Sequence, residues 1–242
     1  MKNCSLETSP QSYARLAGVL YLAVIALGIF AEGYVINHFR ASADVATLAR
    51  NILAEPILWN LGAFANLLLV LCAIVLSWLL YLLLRPVNRN LIVLAAFLNV
   101  VSLAIETISK LFQLMVKPIL TSTSMAKAFE PTQLHALANF ALRSHDIAFN
   151  IALVFFGATC ILYGQLIFKS GYLPKLVGVL MQIGGVSYLI ACFSALFVPA
   201  LSNLINPAIL VLPLIGEASL CLWLLVKGVN LSKWNDRLSS HT

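Results

Sequence analysis

The sequence predicts an all-α integral membrane bundle of six transmembrane helices with two short outer amphipathic helices. Three observations carry that prediction. The 242-residue chain is 61% hydrophobic and only 10% charged, where a soluble domain carries about a quarter charged residues. Its mean hydropathy is +0.95. Six segments, over 14–35, 58–84, 91–115, 147–168, 176–198 and 208–226, each offer the roughly 20 apolar residues that a span requires.

The first span follows a polar dozen, MKNCSLETSPQS, and its apolar stretch is too long for a cleaved leader, so it is read as retained. Next comes ASADVATLARNILAEP. Val45, Leu48, Ala49, Ile52 and Leu53 recur at helical spacing, which marks an amphipathic helix near 43–54. Asp44 or Ser42 can cap its start, and Pro56 opens the second span. A second amphipathic segment, PTQLHALANFALR, places Leu134, Leu137, Ala138, Ala141 and Leu142 on one face. It either lies at the interface and bends near Ser144, or the fourth helix protrudes. The resulting division is a tail over 1–13, a membrane domain over 14–228 and a second tail over 229–242.

Basic residues set the orientation. With the N-terminus inside, nine fall on the inner side: Lys2, Arg15, Arg85, Arg89, Lys169, Lys175, Lys227, Lys233 and Arg237. Only Arg40, Arg50, Lys117 and Lys127 fall in outer loops. Both termini are therefore expected in the cytosol and the chain in the cytoplasmic membrane, with lipid as its partner. The net charge of +6 reads as a topology signal, and no nucleic-acid partner is expected. The five cysteines show no CxxC or zinc-type spacing, so no metal or cofactor is expected. Cys72, Cys160, Cys192 and Cys221 read as small apolar filler within spans.

ARLAGVLYL, GIFAE, LLRPVNRN, VFFG, KSGYLPKLVG, GE and LWLLVKGVN occur in this order along residues 13–230. In that order and spacing the chain resembles the bacterial multi-pass family known as domain of unknown function 4386. The resemblance implies the fold and a cytoplasmic-membrane location, and it supplies no activity. One departure stands out: where the family often places an Arg in the third span, this chain has Leu98 and Asn99.

Chemistry concentrates in polar residues inside the spans. The third span carries Asn99, Ser102, Glu106, Ser109, Lys110 and Gln113, mostly on one face. The fourth carries Asn139, Arg143, Asp146 and Asn150 in steps of four, three and four. Charge facing lipid costs several kcal/mol at mid-depth, so the two stripes are expected to face each other. Setting Lys110 opposite Asp146 puts Glu106 beside Asn150 and Gln113 beside Arg143. Lys110, Asp146 and Arg143 are thus the ion-pair candidates. They sit near the outer edge of the hydrocarbon and read equally well as interhelical glue.

Glu32, Glu106 and Glu217 lie deeper. Glu217 is roughly 15 Å from Lys227 along its helix, close to the midplane, and has no evident cation at its depth. Glu217, Glu106, Glu32 and Asn150 are the candidate ligand- or ion-binding residues. Hydrogen bonding of Glu217 to Asn66 or Gln182 as helix glue is the structural alternative.

Three functions follow from different classes. The first is a small transporter or ligand-binding membrane protein with a carboxylate-lined pocket, its ligand unknown. Six helices are few for alternating access, so a homodimer is the expected working form. The second is a non-catalytic accessory or sensor protein acting through helix–helix contacts. The third, an intramembrane enzyme, ranks lowest: the sequence has no HxxxH or HExxH, and His135, His145 and Asp146 are the only zinc-ligand candidates in the spans. Lys110 beside Glu106 reads as an ion pair rather than a Schiff-base lysine.

Overall fold

A computed structural model describes residues 10–40, 44–205 and 208–239. These residues form helices and no strand. Helix α1, Pro10–Arg40, is the first span, and its stretch Ile29–Ile36 is π-helical. Then follow α2, Val45–Ala54, and the second span α3, Pro56–Leu84. The third span α4, Arg89–Thr121, leads through a short α5, Thr123–Ala128, to the fourth, α6, Pro131–Ser170. The fifth span α7, Lys175–Phe197, is followed by a short α8, Pro199–Ile205. The sixth, α9, spans Ala208–Val226, and α10, Leu231–Ser239, ends the described chain. Six of these helices are long and apolar enough to cross a membrane.

Local chemistry explains the element ends. Asn88 caps α4 by accepting from the Leu91 amide at 2.9 Å. Glu130 and Gln133 form a reciprocal capping box at the start of α6. Gly171, at φ +78°, terminates α6 in the left-handed conformation that favours glycine. Asp44 caps α2, accepting from the Thr47 amide at 2.9 Å and the Thr47 hydroxyl at 2.7 Å. Those bonds hold its carboxyl below the usual carboxylate range. Ser42, the other predicted cap, lies outside the described residues.

The spanning helices pack as a closed ring: α1 on α3, α3 on α4, α4 on α6, α6 on α7, α7 on α9 and α9 back on α1. Glycines set two of these contacts. Gly157 meets Gly185 and Gly164 meets Gly178 at the α6–α7 crossing, where an added Cβ would lie 2.5–2.9 Å from a backbone carbonyl oxygen. Small residues let membrane helices approach this closely. At α1–α9, Gly18 faces the backbone of Leu224 and Leu225.

Apolar cores close both ends of the ring. At the end holding α2, Phe39, Leu48, Ile52, Trp59, Val116 and Leu142 form one buried cluster. At the other end Leu79, Leu83, Ile92, Leu166, Leu220 and Leu224 belong to a second. The two chain ends meet there: Gln11 donates to the Lys227 carbonyl, and Trp234 of α10 stacks on Tyr172. The Tyr172 hydroxyl donates to the Leu83 carbonyl at 2.6 Å.

One sequence expectation changes. The amphipathic segment at 132–143 is no separate helix. It is the first part of the 40-residue α6, which runs unbroken through Ser144, so the protruding alternative holds. Leu134, Ala138, Ala141 and Leu142 are buried, and the α4 and α2 neighbours give that stretch a packed face well beyond the bilayer requirement. The C-terminal tail, in turn, contains α10, held by the Tyr172 stack and by Arg237 donating to the Lys169 carbonyl.

Candidate functional site

Inside the ring lies a cavity of about 410 Å³, within the usual range of small-molecule sites. Every spanning helix contributes to its wall. Glu32, Glu106 and Glu217 all line it, as does Asn99. The carboxylates reach it from α1, α4 and α9 respectively, so three of the four predicted ligand-binding residues converge on one space.

The polar groups form two nodes. The first is organised by Glu32, which sits in the π-helical segment of α1. Its Oε1 accepts from Lys110 Nζ at 2.7 Å and from Asn66 Nδ2 at 2.9 Å. Its Oε2 lies 3.4 Å from His145 Nε2, while His145 Nδ1 is 2.9 Å from the Ser109 carbonyl oxygen. Asn66 Nδ2 also donates to Gln113 Oε1 at 2.9 Å. Lys110 Nζ lies 3.6 Å from Glu106 and 4.4 Å from the centre of the Phe149 ring. A cation over an aromatic face gains further stabilisation. Lys110 is only 1% exposed. A buried ammonium is held only with such close partners.

The second node surrounds Glu217, 8% exposed. The Tyr188 hydroxyl donates to Glu217 Oε1 at 2.7 Å, and the Tyr21 side chain lies beside the same carboxyl group. Neither Asn66 nor Gln182 reaches it: Asn66 belongs to the first node, and Gln182 Nε2 bonds Gln165 Oε1 at 3.3 Å. Tyr21 and Glu32 stand eleven residues apart on α1, so the nodes are about 16 Å apart along the helix. Leucine, valine, isoleucine and phenylalanine side chains make up most of the wall between them.

The predicted pairing of Lys110 with Asp146 is not made. Arg40, at the end of α1, pairs with Asp146, and Lys110 turns to Glu32 and Glu106. Arg143 is exposed. Asn150 donates to the Asp146 carbonyl of its own helix at 2.9 Å and does not belong to the cavity wall. The cause is the rotation of α6. Its buried residues include Ala138, Ala141, Ala148 and Ala152 beside His145; the alanines admit α4 closely, and Ser102 Oγ donates to the Ala152 carbonyl across that contact at 2.7 Å. The polar stripe is turned away from α4.

Sequence reasoning missed Tyr21 and Tyr188 beside Glu217, set Asn66 against Glu217 where it bonds Glu32, and weighed His145 only as a zinc ligand. His145 follows the buried alanines of α6 at helical spacing, and that signal places it toward α4. Among the described residues, no group of three or more His, Cys, Asp or Glu side chains is arranged to hold a metal ion.

Fold and site together define a multi-pass helical membrane protein with a closed ring of helices around an acidic central cavity. The chain belongs to the family described as Domain of unknown function (DUF4386), whose model matches residues 16–228. It is also similar to an uncharacterized protein of Archaeoglobus fulgidus, 27% identical over 169 residues that cover 69% of this chain and 83% of the archaeal one. No solved structure matches the chain.

Proposed function

We propose that this is a ligand-binding membrane protein, acting as a small transporter, whose central cavity takes an organic cation. One observation carries the reading. Three carboxylates line the cavity, whereas Lys110 and His145 stand behind the wall. Lys110 answers Glu32 and Glu106 together, and Glu217 has only tyrosine side chains. The space therefore presents an excess of acceptors, and intramembrane carboxylates of this kind mark ion and substrate sites. The central cavity favours this reading over an accessory protein that works by helix contacts alone.

The test is binding of alkylammonium ions to the protein in lipid nanodiscs, read by equilibrium dialysis against empty nanodiscs. Saturable binding of one ion per chain is expected. At least one of Glu106→Gln and Glu217→Gln should weaken it at least tenfold, about 1.4 kcal/mol. Binding that is unchanged in both variants, or absent in the native protein, would show that the carboxylates serve packing only.

We also propose that both chain ends face the cytosol. The end of the bundle where they meet holds Arg15, Arg85, Arg89, Lys169, Lys175 and Lys227, as the positive-inside rule requires. A periplasm-active reporter fused to the C-terminus should be silent and a cytosol-active one bright; the reverse pattern overturns the orientation.

A further inference from the structure

Buried apolar clusters pack toward both ends of the bundle. One apolar core closes the end that holds α2, where Gln113 and Lys110 are at most 1% exposed. A second core closes the other end. Exposed residues of the cavity wall gather instead on two facing helices. They are Ile29, Gly33 and Asn37 on α1, with Leu210 and Leu214 on α9.

The packing explains the gap. Lower on these helices Gly18 brings α1 against Leu224 and Leu225, and Cys221 Sγ reaches the Gly18 carbonyl at 3.5 Å. Higher up, the π-helical segment Ile29–Ile36 turns its contacts to α3, with Gly62 under Val35. The two helices are joined at one end and parted at the other. A π-helical segment is uncommon and frequently marks a functional site. The parted half faces the surroundings of the bundle, which in a membrane is lipid. Leu201 and Leu204 of the neighbouring α8 are exposed as well, which suits a border with the bilayer.

The wall itself describes the guest. Its polar groups are three carboxylates, Asn37, Asn99, Ser77 and the hydroxyls of Tyr21, Tyr163 and Tyr188; the Asn99 Oδ1 is buried and without a hydrogen-bond partner. All can accept a hydrogen bond. The remaining wall is chiefly leucine, isoleucine, valine and phenylalanine. Such a wall suits an N–H-bearing cationic head joined to an apolar body.

We infer that the ligand is an amphipathic amine dissolved in the bilayer, and that it enters the cavity sideways between α1 and α9. This rests on the cation-binding reading above and adds the class of the ligand and its path. The ammonium meets Glu106 or Glu217, while the tail occupies the apolar stretch between the nodes. Asn37, polar and exposed at the upper edge of the gap, lies at the depth where a lipid-borne head group would arrive.

Decylammonium, butylammonium and decyl sulfate separate the possibilities in nanodiscs carrying the full chain. Decylammonium should bind saturably, at least tenfold tighter than butylammonium after correction for its partition into empty nanodiscs, and decyl sulfate should not saturate. Equal affinity for the two amines would overturn the amphipathic class and leave the cation site standing. Equal binding of decyl sulfate, or no saturable binding of either amine, would overturn both.

The path is tested with Gly33→Phe. A Cβ there meets nothing closer than Ile29 Cγ2 at 3.9 Å, so the ring can occupy the gap without displacing a helix. Uptake of labelled decylammonium, followed by rapid filtration of proteoliposomes, should slow at least tenfold. Leu214→Phe, on the opposite edge, gives a second variant should the first fold poorly. Unchanged uptake in folded protein of either variant would overturn sideways access.

Discussion

Replacing Lys110 by methionine is expected to be the most damaging single change to a polar side chain in the protein. The substitution keeps most of the side-chain volume and removes the ammonium. Glu32 then loses a 2.7 Å partner and Glu106 one at 3.6 Å, while both stay largely enclosed. Breaking a buried pair by removing one member costs roughly 3–5 kcal/mol, because the uncompensated charge remains. Adding Glu32→Gln should recover much of the loss, since glutamine keeps a hydrogen-bonding group toward Asn66. Thermal unfolding in detergent reads the cycle. Coupling of at least 1 kcal/mol between Lys110 and Glu32 is within the range for contacting residues, and simple additivity would show that the ion pair does not form. The Lys110–Asp146 cycle is the control: Asp146 pairs with Arg40, so those two losses should add.

That contrast shows what the sequence made legible. Six apolar runs and the α2 periodicity were readable, because they depend on composition and spacing along one helix. Which glutamate answers Lys110 was not. Glu106 was preferred because it lies one turn away on the same helix, and Asp146 because the steps of three and four on α6 suggested a facing stripe. The shortest contact comes from Glu32, 78 positions away in sequence and set in a π-helical turn that no residue pattern announced. Rotation of α6 depends on where its alanines can approach α4, a property of the pair of helices rather than of either sequence. Tyr188 was hidden for a similar reason: within GGVSYLIACF it reads as one more apolar position of a span, and only the α7–α9 contact reveals its hydroxyl beside Glu217.

The glycines of the spans raise the same question of partner. Gly164 and Gly33 give opposite answers to one substitution. A Cβ at Gly164 would lie 2.5 Å from the Gly178 carbonyl oxygen, 2.6 Å from Gln182 Cγ and 2.9 Å from the Gln182 amide nitrogen. Two of those neighbours are backbone and cannot swing aside, so α6 and α7 must separate along their whole crossing. Gly157 and Gly185, two turns away on the same pair of helices, are equally close and would part with them. Overpacking in a fitted interior costs about 1–3 kcal/mol and sometimes more; a backbone crossing belongs at or above the upper end. Gly164→Ala should therefore lower the midpoint of thermal unfolding sharply or prevent recovery of folded protein. Gly33→Ala meets only Ile29 Cγ2 at 3.9 Å and should be neutral or stabilising by about 0.5–1 kcal/mol, the usual gain of alanine over glycine inside a helix. Comparable stability of the two variants would mean that α6 and α7 do not meet through their glycines, and with that the ring around the acidic cavity would have to be drawn differently.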